Sequence, residues 1–140
     1  MYNESVELER TRLREVSRRL LRLHRLLLDR ERLAYEGRHG TVTSGELLGL
    51  LLNDEGFAWL RSLSTLVAQI DALTDGDAPL TPEDAQAVYR EAHRLLKSGD
   101  NGLFQDRYRD ALQESPDVVM AHADVSALLP PTERGPRDRG

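Results

Sequence analysis

Apolar residues recur at helical spacing through the middle of the chain: Phe57, Leu60, Leu63, Leu66, Val67, Ile70 and Leu73. The stripe is wide and small polar residues stand beside it, the pattern of a helix inside a bundle. This stretch holds the only Trp and one of the two Phe. Upstream, Val6, Leu13, Leu20, Leu27 and Ala34 repeat every seven residues, with Val16 and Leu23 between them. That spacing predicts one long helix over 5–36 carrying an a/d seam, with gaps at Glu9 and Arg30. Leu21, Leu26, Leu28 and Leu33 widen the stripe beyond a two-stranded seam.

Punctuation divides the remainder. Gly37 is the expected left-handed residue that ends the first helix. Thr43 or Ser44 caps a short apolar helix over 46–52, and Asn53-Asp54-Glu55-Gly56 breaks it from the helix over 57–75. Residues 44–75 together match the first helix in length, which predicts an antiparallel hairpin with a kinked second arm. Asp75 to Pro79 is a loop. Thr81 and Pro82 open another helix, with Glu83 and Asp84 in its first turn. Its apolar face is Ala85, Val88, Ala92, Leu95 and Leu96. After a turn at Asp100-Asn101-Gly102 a helix over 102–114 follows, with Leu103, Phe104, Tyr108, Ala111 and Leu112 inward. Ser115 and Pro116 start the last, with Val118, Val119, His122, Val125 and Leu129 on one side. No segment alternates as a strand does. The expected fold is therefore an all-α helical bundle: one domain over 1–129 and a disordered tail over 130–140, where apolar residues become scarce.

Composition narrows the chemistry. The 140 residues contain no Cys, so disulfides, thiolate metal sites and cysteine nucleophiles are excluded. Leu47 to Leu52 is the densest apolar run, far short of the roughly 20 residues of a membrane helix. No leader-like start is visible, and the expected location is the cytoplasm. Charge is uneven. Residues 1–40 hold ten Arg against seven acids, and residues 41–101 hold four basic residues against ten acids. Arg12, Arg18, Arg19, Arg22 and Arg25 belong to a run in which Glu15 is the only acid between residues 10 and 28. Such a face can contact phosphates of nucleic acid, lie on an anionic surface, or pair with acids from the middle of the chain.

Motifs for catalysis are missing. There is no His-Glu-x-x-His, no phosphate-binding Gly-rich loop and no Gly-x-Ser-x-Gly. Asp75 and Asp77 fail the EF-hand spacing, since Pro79 stands at the fifth position. His24, His93 and His122 lie on three different helices, and only their convergence in space makes them a metal or haem site. No catalytic residue and no cofactor is assigned. The expected function is a non-enzymatic interaction module that self-associates. Two short helices cannot cover the long seam side by side: either they stack end to end along the hairpin or part of the seam stays free, and on the second alternative a homodimer through the first helix is the expected assembly. Trp59 stands off the tightest apolar strip and is the contact point for a partner if it is exposed. The alternatives are a nucleic-acid-associated regulator using the Arg face, and an enzyme or metal- or haem-binding bundle.

The segment from Leu51 through Phe57-Ala58-Trp59-Leu60-Arg61-Ser62-Leu63-Ser64 to Ile70-Asp71 resembles a pattern in a family of small, uncharacterised helical proteins of bacteria. Tyr108-Arg109-Asp110-Ala111-Leu112, Ser115-Pro116-Asp117-Val118-Val119 and Ala121-His122 resemble the same pattern. The likeness spans roughly residues 10–129. It implies a bacterial source and a self-contained domain, and carries no activity, ligand or site residue with it.

Overall fold

The computed structural model describes residues 4–75, 79–98 and 102–131. Among them are seven helices and no strand: α1 (Glu4–His39), α2 (Ser44–Asn53), α3 (Glu55–Ala58), α4 (Arg61–Asp75), α5 (Pro82–Leu96), α6 (Leu103–Glu114) and α7 (Pro116–Ser126). The fold is an all-α bundle. The centre of the expected loop after Asp75, most of the turn before Gly102 and the expected tail from residue 132 lie outside the described residues. Pro130, at the edge of that tail, is held in place: its carbonyl accepts from His93 Nε2 at 2.7 Å.

The seam of α1 is the spine of the core. Leu13, Val16, Leu20, Leu23 and Leu27 are all fully buried. Their spacing of three and four keeps them on one side of the helix. Each such side chain contributes about 1.5–3 kcal/mol on burial. The ends of the repeat behave differently, with Val6 half-buried and Ala34 exposed.

Hydrogen bonds between α1 and α4 run in opposite directions. Arg14 Nη2 donates to Thr74 O (2.9 Å), Ser17 Oγ donates to Asp71 Oδ1 (2.7 Å), and His24 Nε2 lies 2.8 Å from Ser64 Oγ. Trp59 Nε1 then donates to Glu31 Oε2 (3.0 Å). The two helices are therefore antiparallel. The C-terminal helices run back along another side of α1, through Arg30 to Glu114 (2.7 Å) and Arg19 to the Asp124 carbonyl (2.7 Å). With α4 and α7 both packed on it, the seam is covered within the chain. The expected homodimer through a free leucine seam loses its premise. The short helices succeed because they contact different sides and different lengths of α1.

Local signals account for most helix ends. Thr43 and Glu46 form a reciprocal capping box at α2 (Thr43 N to Glu46 Oε1 2.8 Å, Glu46 N to Thr43 Oγ1 3.1 Å). Thr81 caps α5 and Ser115 caps α7, each followed by Pro at the first helical position. Two expectations shift. Helix α1 runs on to His39, where the His39 ring sits 4.3 Å from that of Tyr35, and Gly40 rather than Gly37 takes the left-handed conformation (φ 89°). The central helix starts at Arg61, because Asp54 is extended and α3 makes a separate turn before it. Leu103 and Val119 face solvent, while Gln105 is buried and donates to Arg94 O (3.0 Å).

Candidate functional site

The arginines of α1 divide into three kinds of work. Arg10 and Arg14 reach the last carbonyls of α4, where a cation complements the negative end of the helix (Arg14 Nη2 to Thr74 O 2.9 Å, Arg10 Nη1 to Thr74 O 3.3 Å). Arg12 stands beside Tyr89. Burial, together with the neighbouring Glu9 carboxylate that accepts its proton, pushes that phenol well above the usual range. Arg18 and Arg19 both pair with Glu15, and Arg22 lies 3.9 Å from Asp124. Arg25 is exposed and has no charged partner among the described residues. Glu15, Arg18, Arg19, Arg22, Ala121 and Asp124 line a cleft of about 330 Å³ between α1 and α7. The acids that meet this face thus come from α1 itself and from α7, not from the acidic middle of the chain. The middle of the chain supplies carbonyls instead.

The histidines do not converge. His24 is paired with Ser64, whose hydroxyl also lies 3.3 Å from Leu60 O. His93 donates to Pro130 O, and His122 Nδ1 is 2.7 Å from the Tyr108 hydroxyl. Burial pushes His24 below its usual range, and burial followed by nearby Lys97 does the same to His122. Burial raises the Tyr108 phenol. Among the described residues no group of three His, Asp or Glu is placed to hold a metal ion. Three rings on three helices are each occupied by a separate structural partner, which overturns His24, His93 and His122 as a joint ligand set.

Trp59 is also corrected. It is 5% exposed and belongs to the core. Its ring lies 5.4 Å from Phe104, which stacks on Tyr108 at 5.4 Å, which in turn meets His122 at 5.6 Å. This row ties the start of α4 to α6 and α7. The indole N–H is satisfied by Glu31, itself 3.9 Å from Arg107. A buried, fully bonded indole is not a surface contact.

No known protein family, no curated protein and no solved structure matches the chain. Function is read from geometry alone.

Two features escaped the sequence reading. One is a groove of about 870 Å³ between α4 and α5, with Arg61, Ser62 and Thr65 on one wall and Asp84, Val88 and Glu91 on the other. The other is α2. Five of its ten residues are Leu, yet none is fully buried. Leu47, Leu50 and Leu51 rest on the core, whereas Leu48 and Leu52 are 57% and 59% exposed. The signal was present: at helical spacing the leucines spread over roughly 200° of the helix, so one layer of core cannot cover them all. No helix of the described residues is long and apolar enough to cross a membrane.

Proposed function

We propose that the chain is a non-enzymatic helical interaction module whose docking element is α2. One observation carries this reading: a leucine-rich helix, well capped at its start, turns Leu48 and Leu52 outward. Leu8, Leu21 and Leu33 are also exposed on α1, but isolated apolar residues on a surface are ordinary. Two leucines one turn apart on a short apolar helix form a patch of the kind helix partners recognise. Behind it, Leu47, Leu50 and Leu51 pack α2 against the core.

The test is capture from an extract of the native host, with wild type compared against the Leu48→Glu/Leu52→Glu double variant. The expected result is loss of a specifically retained macromolecule while the circular dichroism spectrum stays unchanged. Retention of the same set by both proteins contradicts the reading.

A nucleic-acid-associated role for the Arg face is the second reading. It is favoured by Arg18, Arg22 and Arg25 lying exposed along one side of α1. Binding of this kind weakens steeply with salt. A gel shift present at low salt and lost at moderate salt supports it, and no shift at low salt removes it.

A further inference from the structure

Arg18, Arg19 and Arg22 fall within little more than one turn of α1. With Glu15, and with Ala121 and Asp124 of α7, they close around the cleft of about 330 Å³. Most of their donor capacity is unspent. A guanidinium carries five N–H donors. Among the described residues Arg22 makes no hydrogen bond, only a 3.9 Å approach to Asp124. Arg18 bonds once, to Glu15. Arg19 bonds twice, to Glu15 (3.0 Å) and to the Asp124 carbonyl (2.7 Å). That carbonyl belongs to the last turn of α7, so the Arg19 charge answers the negative end of a helix. Glu15 holds Arg18 and Arg19 in place. Arg18 and Arg22, four residues apart, stand side by side on the helix and keep donors for a ligand. The opposite wall at Ala121 contributes only a methyl.

We infer that this cleft binds a small phosphorylated polyol, its phosphate oxygens held by Arg18 and Arg22 and one hydroxyl donated to Asp124. Four features set that class. Forked guanidinium groups match the oxygens of a phosphate. Three arginines against two carboxylates leave the cleft positive, which selects an anion over a zwitterion. The Asp124 carboxylate accepts no hydrogen bond among the described residues and repels a bare oxyanion, so the ligand that suits it brings a donor beside its phosphate. No aromatic ring lines the cleft, so a nucleobase has nothing to stack on, and the volume falls at the small end of ligand sites. The exposed Arg22–Asp124 pair is weak enough to open for such a ligand. The site lies apart from docking at α2. It shares Arg18 and Arg22 with the nucleic-acid reading but has no use for Arg25.

The test is a titration followed by nuclear magnetic resonance, reading backbone amides and arginine Nε–H groups at fixed ionic strength. The probes are inorganic phosphate and glycerol 3-phosphate. Glycerol 3-phosphate is expected to give saturating shifts at residues 15–22 and 121–124, with a Kd on the order of 1 mM or below. It should bind about threefold more tightly than inorganic phosphate, through the added hydroxyl. Arg22→Gln should weaken it by about tenfold or more, whereas Arg25→Gln should leave it unchanged. Asp124→Asn should improve binding of inorganic phosphate and erase the advantage of glycerol 3-phosphate. Each variant alters an exposed side chain, and the same spectra show that the fold is kept. No saturation up to about 20 mM overturns the inference, as do shifts shared evenly with Arg25 and the other exposed arginines. An oligonucleotide that binds and is weakened by Arg25→Gln, while glycerol 3-phosphate does not bind, overturns the cleft site and leaves the nucleic-acid reading standing.

Discussion

Helices α1 and α2 are both rich in leucine, and they use it in opposite ways. In α1 the leucines of the seam recur at three and four, face one side and vanish entirely into the core. In α2 five leucines crowd into ten residues and spread over roughly 200° of the helix, so Leu48 and Leu52 stay in water. The difference shows that apolar content does not locate a core. Arrangement around the helix does, together with the number of neighbouring elements available to cover each side. Helix α1 has α4 and α7 packed against it along its length. Helix α2 has support on one side only, and its two glycines remove side chains from the open side.

The comparison breaks most sharply by truncating leucines in both helices. Leu20→Ala or Leu27→Ala opens a cavity in a fully buried seam and should cost about 2–5 kcal/mol in urea unfolding. Leu48→Ala should change stability by no more than about 0.5 kcal/mol. A large loss at Leu48 would place α2 in the core and erase the contrast.

The next effect sits where the core meets α6. Trp59→Phe keeps the ring row with Phe104 but removes the bond to Glu31, for a loss of about 1–2 kcal/mol. The same residue supplies an independent check. As the only Trp in the chain, a buried Trp59 predicts blue-shifted fluorescence poorly quenched by iodide. Red-shifted, readily quenched emission would contradict its place in the core.

A smaller effect follows pH. His24 and His122 both titrate below the ordinary value of 6.5 in the folded chain. The unfolded chain therefore binds protons more readily just below that pH. Their contribution is fully present above pH 6.5 and is lost as pH falls through and below it. The urea midpoint should decline from pH 7 towards pH 5, and His24→Gln/His122→Gln should flatten that slope. An unchanged slope would mean that neither ring is held neutral by its surroundings. The smallest change is a gain: Gly45→Ala and Gly49→Ala should each stabilise the fold by up to about 1 kcal/mol, because nothing stands where the new methyl goes.

Much of the fold was legible in the residues. The heptad from Leu13 to Leu27 marked the buried side of α1, and the Thr81-Pro82 and Ser115-Pro116 pairs marked helix starts through local capping chemistry. What covers a stripe was not legible, since a buried face does not name the element packed on it. That is why a covered seam was read as a free one. Trp59 was misread because its distance from the tightest strip was measured on one continuous helix. The turn at α3 and the capped Asp54 re-aim it towards Phe104 and Glu31. The arginine face was legible as a face but not by its partners, since Arg14 answers to a helix terminus and Arg19 to a backbone carbonyl far along the chain.

The central claim is that the outward leucines of α2 serve docking and not folding. Urea unfolding of the Leu48→Glu/Leu52→Glu double variant tests it most directly. The account predicts a midpoint and slope matching wild type, within about 0.5 kcal/mol. A loss of several kcal/mol, or a broadened transition, would contradict it and return α2 to the core.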